Sequence, residues 1–344
     1  MSDVIDRNLA LELARVTESA ALASAAWMGK GRKEDADQAA VDAMRYFLGS
    51  VEMDGIVVIG EGAKDEAPML FVGEQVGTGE HPKVDIAVDP IDGTRLLANG
   101  MPNALSVVAL SDRGTMFTCA DIAYMQKIAV GPEAADVIDI DLSPSENLGR
   151  ISRALKKRVE DLVVIILDRP RHVDLIAEVR STGSRIKLIT DGDVAGAIMT
   201  AIPGTGVDVL MGIGGAPEAV VAAAALTCVG GAIQGRLWIR NEEEQAIVER
   251  DKIDVGRKFA TRDLVSGRNI FFSATGITDG ELLRGVHLTS HGATTQTLVM
   301  RSASGTVRRI DAEHRHEKLE QLRNLRNLSP QARMEQPQER EKMN

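Results

Sequence analysis

An alternation that begins near residue 162 restricts the fold of this chain more than any other feature. Strand-like residues 162–167 precede a helical pattern over 173–179, and strand 186–189 precedes helix 194–202. Strand 207–211 then precedes helix 217–229, and strand 233–239 closes the series. Strands and helices that alternate at this interval build a layered α/β fold, because each helix must cover an apolar sheet face. Upstream, residues 4–28 place Leu9, Leu13, Val16, Ala20 and Ala23 at helical spacing, and Gly29-Lys30-Gly31 ends that helix. A second helix is predicted over 35–48, with strands over 56–59, 84–88, 105–110, 269–275 and 297–301. No internal repeat is visible. The 344 residues allow two domains. A polar stretch around 143–147 divides the predicted units into an α+β domain over 1–145 and an α/β domain over 146–311. Residues 312–344 read as a charged, disordered tail, although Leu319, Leu322, Leu325 and Leu328 allow a short amphipathic helix.

Composition narrows the function classes. A net charge of -10 argues against a general nucleic-acid binder, which carries a basic face. It leaves phosphorylated substrates open, because bound cations reverse the local sign. The two cysteines, Cys119 and Cys228, are far apart, which excludes a disulfide scaffold and fits a reducing cytosol. The polar opening with Asp3 and Asp6 does not resemble a signal peptide. The alanine-rich run 20–26 is too short for a bilayer, which needs about 20 apolar residues. A soluble cytoplasmic protein without membrane or nucleic-acid partners is predicted.

The chemistry concentrates in V-D-I-A-V-D-P-I-D-G-T, residues 84–94. An apolar strand delivers Asp89 and Asp92 onto a turn that closes on Gly93 and Thr94. Two crowded carboxylates repel unless a proton or cation lies between them, and Mg²⁺ or Mn²⁺ takes such oxygen ligands. The plain structural alternative is an Asx turn. Glu61 lies between two glycines after strand 56–59, as a ligand or a turn residue. Glu218, in G-I-G-G-A-P-E, suits a helix start even without a ligand. Asp191 and Asp193, in D-G-D-V-A-G, suit sugar hydroxyls, though Asp193 also fits as a helix cap. Arg169 and Arg171, in R-P-R-H, can grip a second phosphate. Neither G-x-G-x-x-G nor a phosphate-binding G-x-x-x-x-G-K-[ST] loop occurs, so nucleotide chemistry is not expected.

These strings also carry a resemblance. D-P-I-D-G-T resembles the metal motif of the lithium-sensitive phosphatases, and a wider set is similar to class II fructose-1,6-bisphosphatases. That set includes G-K-G-R-K-E-D-A-D (29–37), D-G-I-V-V-I-G-E-G (54–62), D-E-A-P-M-L (65–70), D-R-P-R-H (168–172), D-G-D-V-A (191–195) and S-A-T-G-I-T-D-G (273–280). The strings run in the family's order over residues 1–310. The resemblance implies a five-layer αβαβα sandwich and divalent-metal removal of the 1-phosphate of fructose 1,6-bisphosphate in gluconeogenesis. It assigns Asp37, Glu61, Asp89, Asp92 and Glu218 to two or three Mg²⁺ or Mn²⁺ ions. It assigns Asp92, Gly93, Thr94, Tyr124, Arg169, Pro170, Arg171, Asp191, Gly192, Asp193 and Gly215 to substrate, with Lys33 and Asp65 supporting Thr94 in catalysis. On spacing alone Asp37 reads as an exposed helical position. Two departures stand out: the family usually carries Glu where this chain has Asp92, and residues 119–125 hold one residue more before Tyr124. A homodimer or tetramer is expected.

Competing readings differ in chemistry or substrate. An aspartyl-phosphate phosphatase needs D-x-D-G-T, with its acids two apart, whereas Asp89 and Asp92 are three apart. Activity on sedoheptulose bisphosphate or inositol phosphates would keep the chemistry, and a non-enzymatic regulatory homologue would discard it.

Overall fold

The computed structural model describes residues 9–61, 69–118 and 122–325. Helices α1 (Ala10–Ala25) and α2 (Lys33–Leu48) precede strands β1 (Asp54–Ile59), β2 (Gln75–Val76) and β3 (Lys83–Asp92). A short α3 (Thr94–Ala98) leads to β4 (Leu105–Asp112) and β5 (Tyr124–Val130). Then come α4 (Pro144–Leu155), β6 (Val163–Leu167), α5 (Val173–Ser181), β7 (Arg185–Ile189) and α6 (Asp193–Met199). Next are β8 (Val209–Gly215), α7 (Ala216–Val229), β9 (Ala232–Trp238), α8 (Glu242–Asp251), β10 (Phe259–Ala260) and α9 (Thr261–Leu264). The chain continues through β11 (Phe271–Gly276), β12 (His287–Thr289), β13 (Gly292–Arg301), β14 (Thr306–Arg315) and α10 (His316–Leu325).

Among the described residues the strands form two mixed sheets. The first runs β12-β13-β11-β4-β3-β1-β2, with β14 paired along β13; the second runs β10-β9-β5-β8-β6-β7. α1 and α2 cover the outer face of the first sheet, burying Leu13, Val16, Met44 and Leu48 against Ile86, Val88 and Leu110. α4 and α5 cover the outer face of the second, with Leu148, Ile151, Ile176 and Val179 packed on Val164, Ile166 and Val209. Between the sheets lies α7, in contact with both. Its run A-P-E-A-V-V-A-A-A-A-L-T-C-V is apolar on every side, as a helix with no solvent face must be. The result is the expected αβαβα sandwich.

The two sheets do not follow the sequence order of the expected units. β5 lies before residue 145 yet joins the second sheet, and β11 to β14 return to the first. Antiparallel pairing lets distant segments share a sheet, which local composition does not reveal. The polar stretch at 143–147, expected to mark a boundary, is a helix start. Ser143 caps α4, accepting from Glu146 N at 3.2 Å while Glu146 Oε2 accepts from Ser143 N at 3.0 Å. Residues 312–325, expected within a disordered tail, complete β14 and form α10, which buries Leu319, Leu322 and Leu325 against α1 and β13. The first residues of the expected long N-terminal helix, Cys119 and the tail from 326 onward lie outside the described residues.

Candidate active site

The site is built around β3. Ile86, Val88 and Ile91 face the α1/α2 layer, and Ala87 faces the middle layer. In a regular strand two residues three apart point to opposite faces. Here Asp89 stands opposite Val107 and Asp92 opposite Leu105, so three steps along β3 match two along β4. The extra residue is a β-bulge. It replaces the turn expected at Pro90 and brings both carboxylates to one cavity of about 340 Å³ between the layers.

Other elements close that cavity. Glu61 follows β1; the residue is open to solvent along one side while its carboxyl lines the wall. Gly93, with φ +89, takes the left-handed turn that ends β3 and starts α3. Thr94 then donates to Asp37 Oδ1 at 3.1 Å or to Ile91 O at 3.3 Å. Asp37, in the second turn of α2, is therefore half-buried and engaged rather than on an exposed face. Lys33 stands one turn before it, and its charge opposes the rise in the Asp37 pKa that burial causes. Asp92 is 3 % exposed and accepts Ala195 N–H at 3.1 Å, which ties β3 to the first turn of α6. Asp191, Asp193 and Glu218 complete the wall.

Glycines make the close packing of these acids feasible. A Cβ on Gly214 would collide with Asp193 Oδ2, and one on Gly215 with Glu218 Oε2. Gly192, at φ +81, starts α6 in the left-handed region beside Asp92.

The carboxylates strain against one another. Burial, then the charge of Asp92, holds Asp89 well above the usual carboxylate range. Burial, then Asp193, does the same to Asp92. Burial, then Asp37, pushes Glu61 up to about 7. Burial and Asp193 raise Glu218, with the Lys127 ammonium opposing them. Glu218 Oε2 is buried with no hydrogen-bond partner. Among the described residues, no three such side chains close on a single point as a finished coordination cage. The donor set is nonetheless all oxygen, over-rich in negative charge and partly unsatisfied. That is the chemistry a hard divalent cation answers.

The predicted phosphate grip stands beside the acidic cavity. Arg169 donates to Thr190 O at 2.6 Å, one residue before Asp191. Arg171 donates to Ile213 O at 2.7 Å and stacks 5.0 Å from the Tyr124 ring centre. Pro170 opens the short helical turn between them. Tyr124 pairs across the sheet with Gly215, so the aromatic ring and the Glu218 turn share one sheet end.

A profile of the family described as bacterial fructose-1,6-bisphosphatase, glpX-encoded, matches residues 7–314. The chain belongs to the class II fructose-1,6-bisphosphatase family. It is 48% identical over 321 residues to the Escherichia coli (strain K12) protein named fructose-1,6-bisphosphatase 1 class 2, covering 90% of this chain and 95% of that one. The same figures, 48%, 90% and 95%, hold for proteins of Escherichia coli O6:H1 and Shigella flexneri named fructose-1,6-bisphosphatase class 2.

Within this class II bisphosphatase scaffold, Asp65 lies outside the described residues. Two contributors escaped the sequence reading. His172 is buried: Ile213 N–H donates to its Nε2 at 2.7 Å, so Nδ1 carries the proton and donates to Leu167 O at 2.6 Å. Burial lowers its pKa, and the neutral ring pins the loop that carries Arg171. Lys127, inside β5, reaches Asp193. The R-P-R-H string contained a signal for the first; nothing local marks the second.

Proposed function

We propose that this chain hydrolyses the 1-phosphate of fructose 1,6-bisphosphate, giving fructose 6-phosphate and phosphate, by direct attack of water. The observation that carries this reading is the bulge that turns Asp89 and Asp92 into one cavity with Thr94 at its edge. Family membership supports the substrate.

Asp37, Glu61, Asp89, Asp92 and Glu218 would hold the cations, two or three Mg²⁺ or Mn²⁺, which supply positive charge and acidify water when bound. Thr94 Oγ1 passes its proton toward Asp37, leaving its oxygen to accept from the attacking water and orient it in line with phosphorus. The proton leaves the water toward Thr94 and Asp37 as the bond between phosphorus and O1 breaks, and the leaving O1 takes up a proton from solvent to give the C1 hydroxyl. Arg169 and Arg171 hold the distant phosphate, and Asp191 and Asp193 accept sugar hydroxyls. Lys33 and Asp65 support the Thr94 side. No phosphoenzyme forms, because i, i+3 acids cannot play nucleophile and acid in the D-x-D register.

The test is a panel of fructose 1,6-bisphosphate, sedoheptulose 1,7-bisphosphate and inositol phosphates, assayed with Mg²⁺ or Mn²⁺, with and without lithium. Fructose 1,6-bisphosphate should turn over fastest, lithium should inhibit, and acid quench with labelled substrate should leave no label on protein. Turnover that persists in EDTA, or label trapped on Asp89, would sink the mechanism. We place the enzyme in the cytoplasm as a homodimer or tetramer, which light scattering on the purified chain checks. Among the described residues, no helix is long and apolar enough to cross a membrane.

A further inference from the structure

Lys127 occupies a position that strand logic reserves for apolar residues. On β5, Met125 and Ala129 face the middle layer and Ile128 and Val130 face outward, so Lys127 points inward between the sheets. It is 4 % exposed. Its cross-strand neighbours are Gly212 on β8 and Gly235 on β9, so neither flank offers a side chain. A Cβ on Gly214 would stand 2.8 Å from Lys127 Cε. Of these glycines it is Gly214 that leaves a slot for the lysine, since a Cβ on Gly212 would meet His172 and one on Gly235 would meet Met125.

The slot directs the ammonium at the acidic cavity. Lys127 Nζ lies 2.6 Å from Asp193 Oδ2 and donates to Gly215 O at 3.0 Å. Asp193 lines the cavity among Asp89, Asp92, Asp191 and Glu218, whose charges push against it. Buried like charges separate when they are free to move. A buried cation fixed at one oxygen holds such a carboxylate in place, and its loss leaves the partner charge uncompensated.

We infer that Lys127 is a positioning residue of the sugar-binding edge: it holds the Asp193 carboxylate and the Gly214–Gly215 turn so that Asp193 can accept a substrate hydroxyl. The inference rests on the proposed sugar-phosphate reading and adds a residue to it.

Binding of fructose 6-phosphate at saturating Mn²⁺, measured by calorimetry on the full chain, tests it without turnover. Lys127→Met should weaken that binding at least about 10-fold, because breaking a close buried ion pair leaves the Asp193 carboxylate uncompensated. The KM for fructose 1,6-bisphosphate should rise in parallel while kcat changes less than about 3-fold, because ground-state binding is what is lost. In an Asp193→Asn background, adding Lys127→Met should change binding less than about 2-fold, since the carboxylate it positions is gone. Mn²⁺ affinity should stay near the wild-type value. Equal losses in both backgrounds, unchanged sugar-phosphate binding, or a fall in Mn²⁺ affinity as large as the fall in sugar binding would each overturn the inference. If Lys127→Met does not fold, Lys127→Gln, which keeps a donor for Gly215 O, carries the same comparisons. Wild-type protein that binds fructose 6-phosphate but does not hydrolyse the bisphosphate would defeat the proposed function and leave the lysine comparison readable. Wild-type protein that does not bind fructose 6-phosphate would overturn the inference itself.

Discussion

In the proposed mechanism Thr94 concentrates the chemistry of the site in one hydroxyl. With Asp37 Oδ1 at 3.1 Å, the threonine proton has a defined acceptor and the oxygen a defined direction. Thr94→Ala removes an interaction needed most as water attacks, so kcat should fall about 100-fold or more, with KM little changed. Steady-state kinetics at saturating metal decide this, and a rise in KM with kcat intact would contradict it. How such residues announce themselves varies. The i, i+3 spacing of Asp89 and Asp92 was legible, and it argued against the covalent chemistry. The bulge that makes the spacing productive was not, since it exists only as a slip of β3 against β4, some fifteen residues away. Asp37 was similarly opaque: its partner Thr94 lies 57 residues on, and helical periodicity alone set it on the surface. Lys127 left no local trace because Gly214, which makes room for it, sits on another strand.

The elements themselves were read where their burial was one-sided or complete and missed where it was neither. The apolar strands β3, β6 and β8 and the alanine-rich α7 stood out. β14 did not, because most of its residues are exposed and none is fully buried. β5 escaped because Gln126 and Lys127 interrupt its apolar run. α4 carried a capping signature, S-P-S-E, whose polar residues read instead as a boundary. Two predictions follow the elements. Ser143→Ala breaks the reciprocal cap of α4 and should cost about 1 kcal/mol in urea unfolding, with kinetic constants unchanged because α4 lies on the outer face of the second sheet. Gly215→Ala acts on the β8–α7 junction, where a methyl would meet Glu218 Oε2. Displacing that carboxylate should weaken Mn²⁺ binding about 10- to 100-fold, read by titration of the full chain; undiminished binding would remove Glu218 from the donor set.

The molecule as a whole is closed on its outer flank by α10, and there it carries a pH dependence. Lys318 sits 3.7 Å over the Phe47 ring, and burial, then Arg15, lowers its pKa from 10.5 to about 8. Below pH 8 both folded and unfolded chains hold this proton, and folding bears the penalty of burying the charge. Between about 8 and 10.5 the unfolded chain still binds the proton while the folded one has released it, so stability rises with pH. Relative to Lys318→Met, the wild type should therefore gain stability from pH 7.5 to 9.5 in paired urea titrations; a constant gap would refute the shift. The middle layer sets a different property. Asp89 and Asp92 hang from one sheet, Asp193 and the Glu218 turn belong to elements of the other, and α7, with α6 beside it, keeps the sheets apart. Because α7 carries an unbroken run of four alanines, Ala222 to Ala225, it is narrow along that stretch. On the proposed function, the gap across which acids face phosphate is thus a calliper setting, fixed in part by methyl groups on the helix behind the cavity wall. Bulkier residues at Ala222 or Ala223 would open the jaws without touching a single ligand, and selection acting on those methyls would tune the calibre of the catalyst.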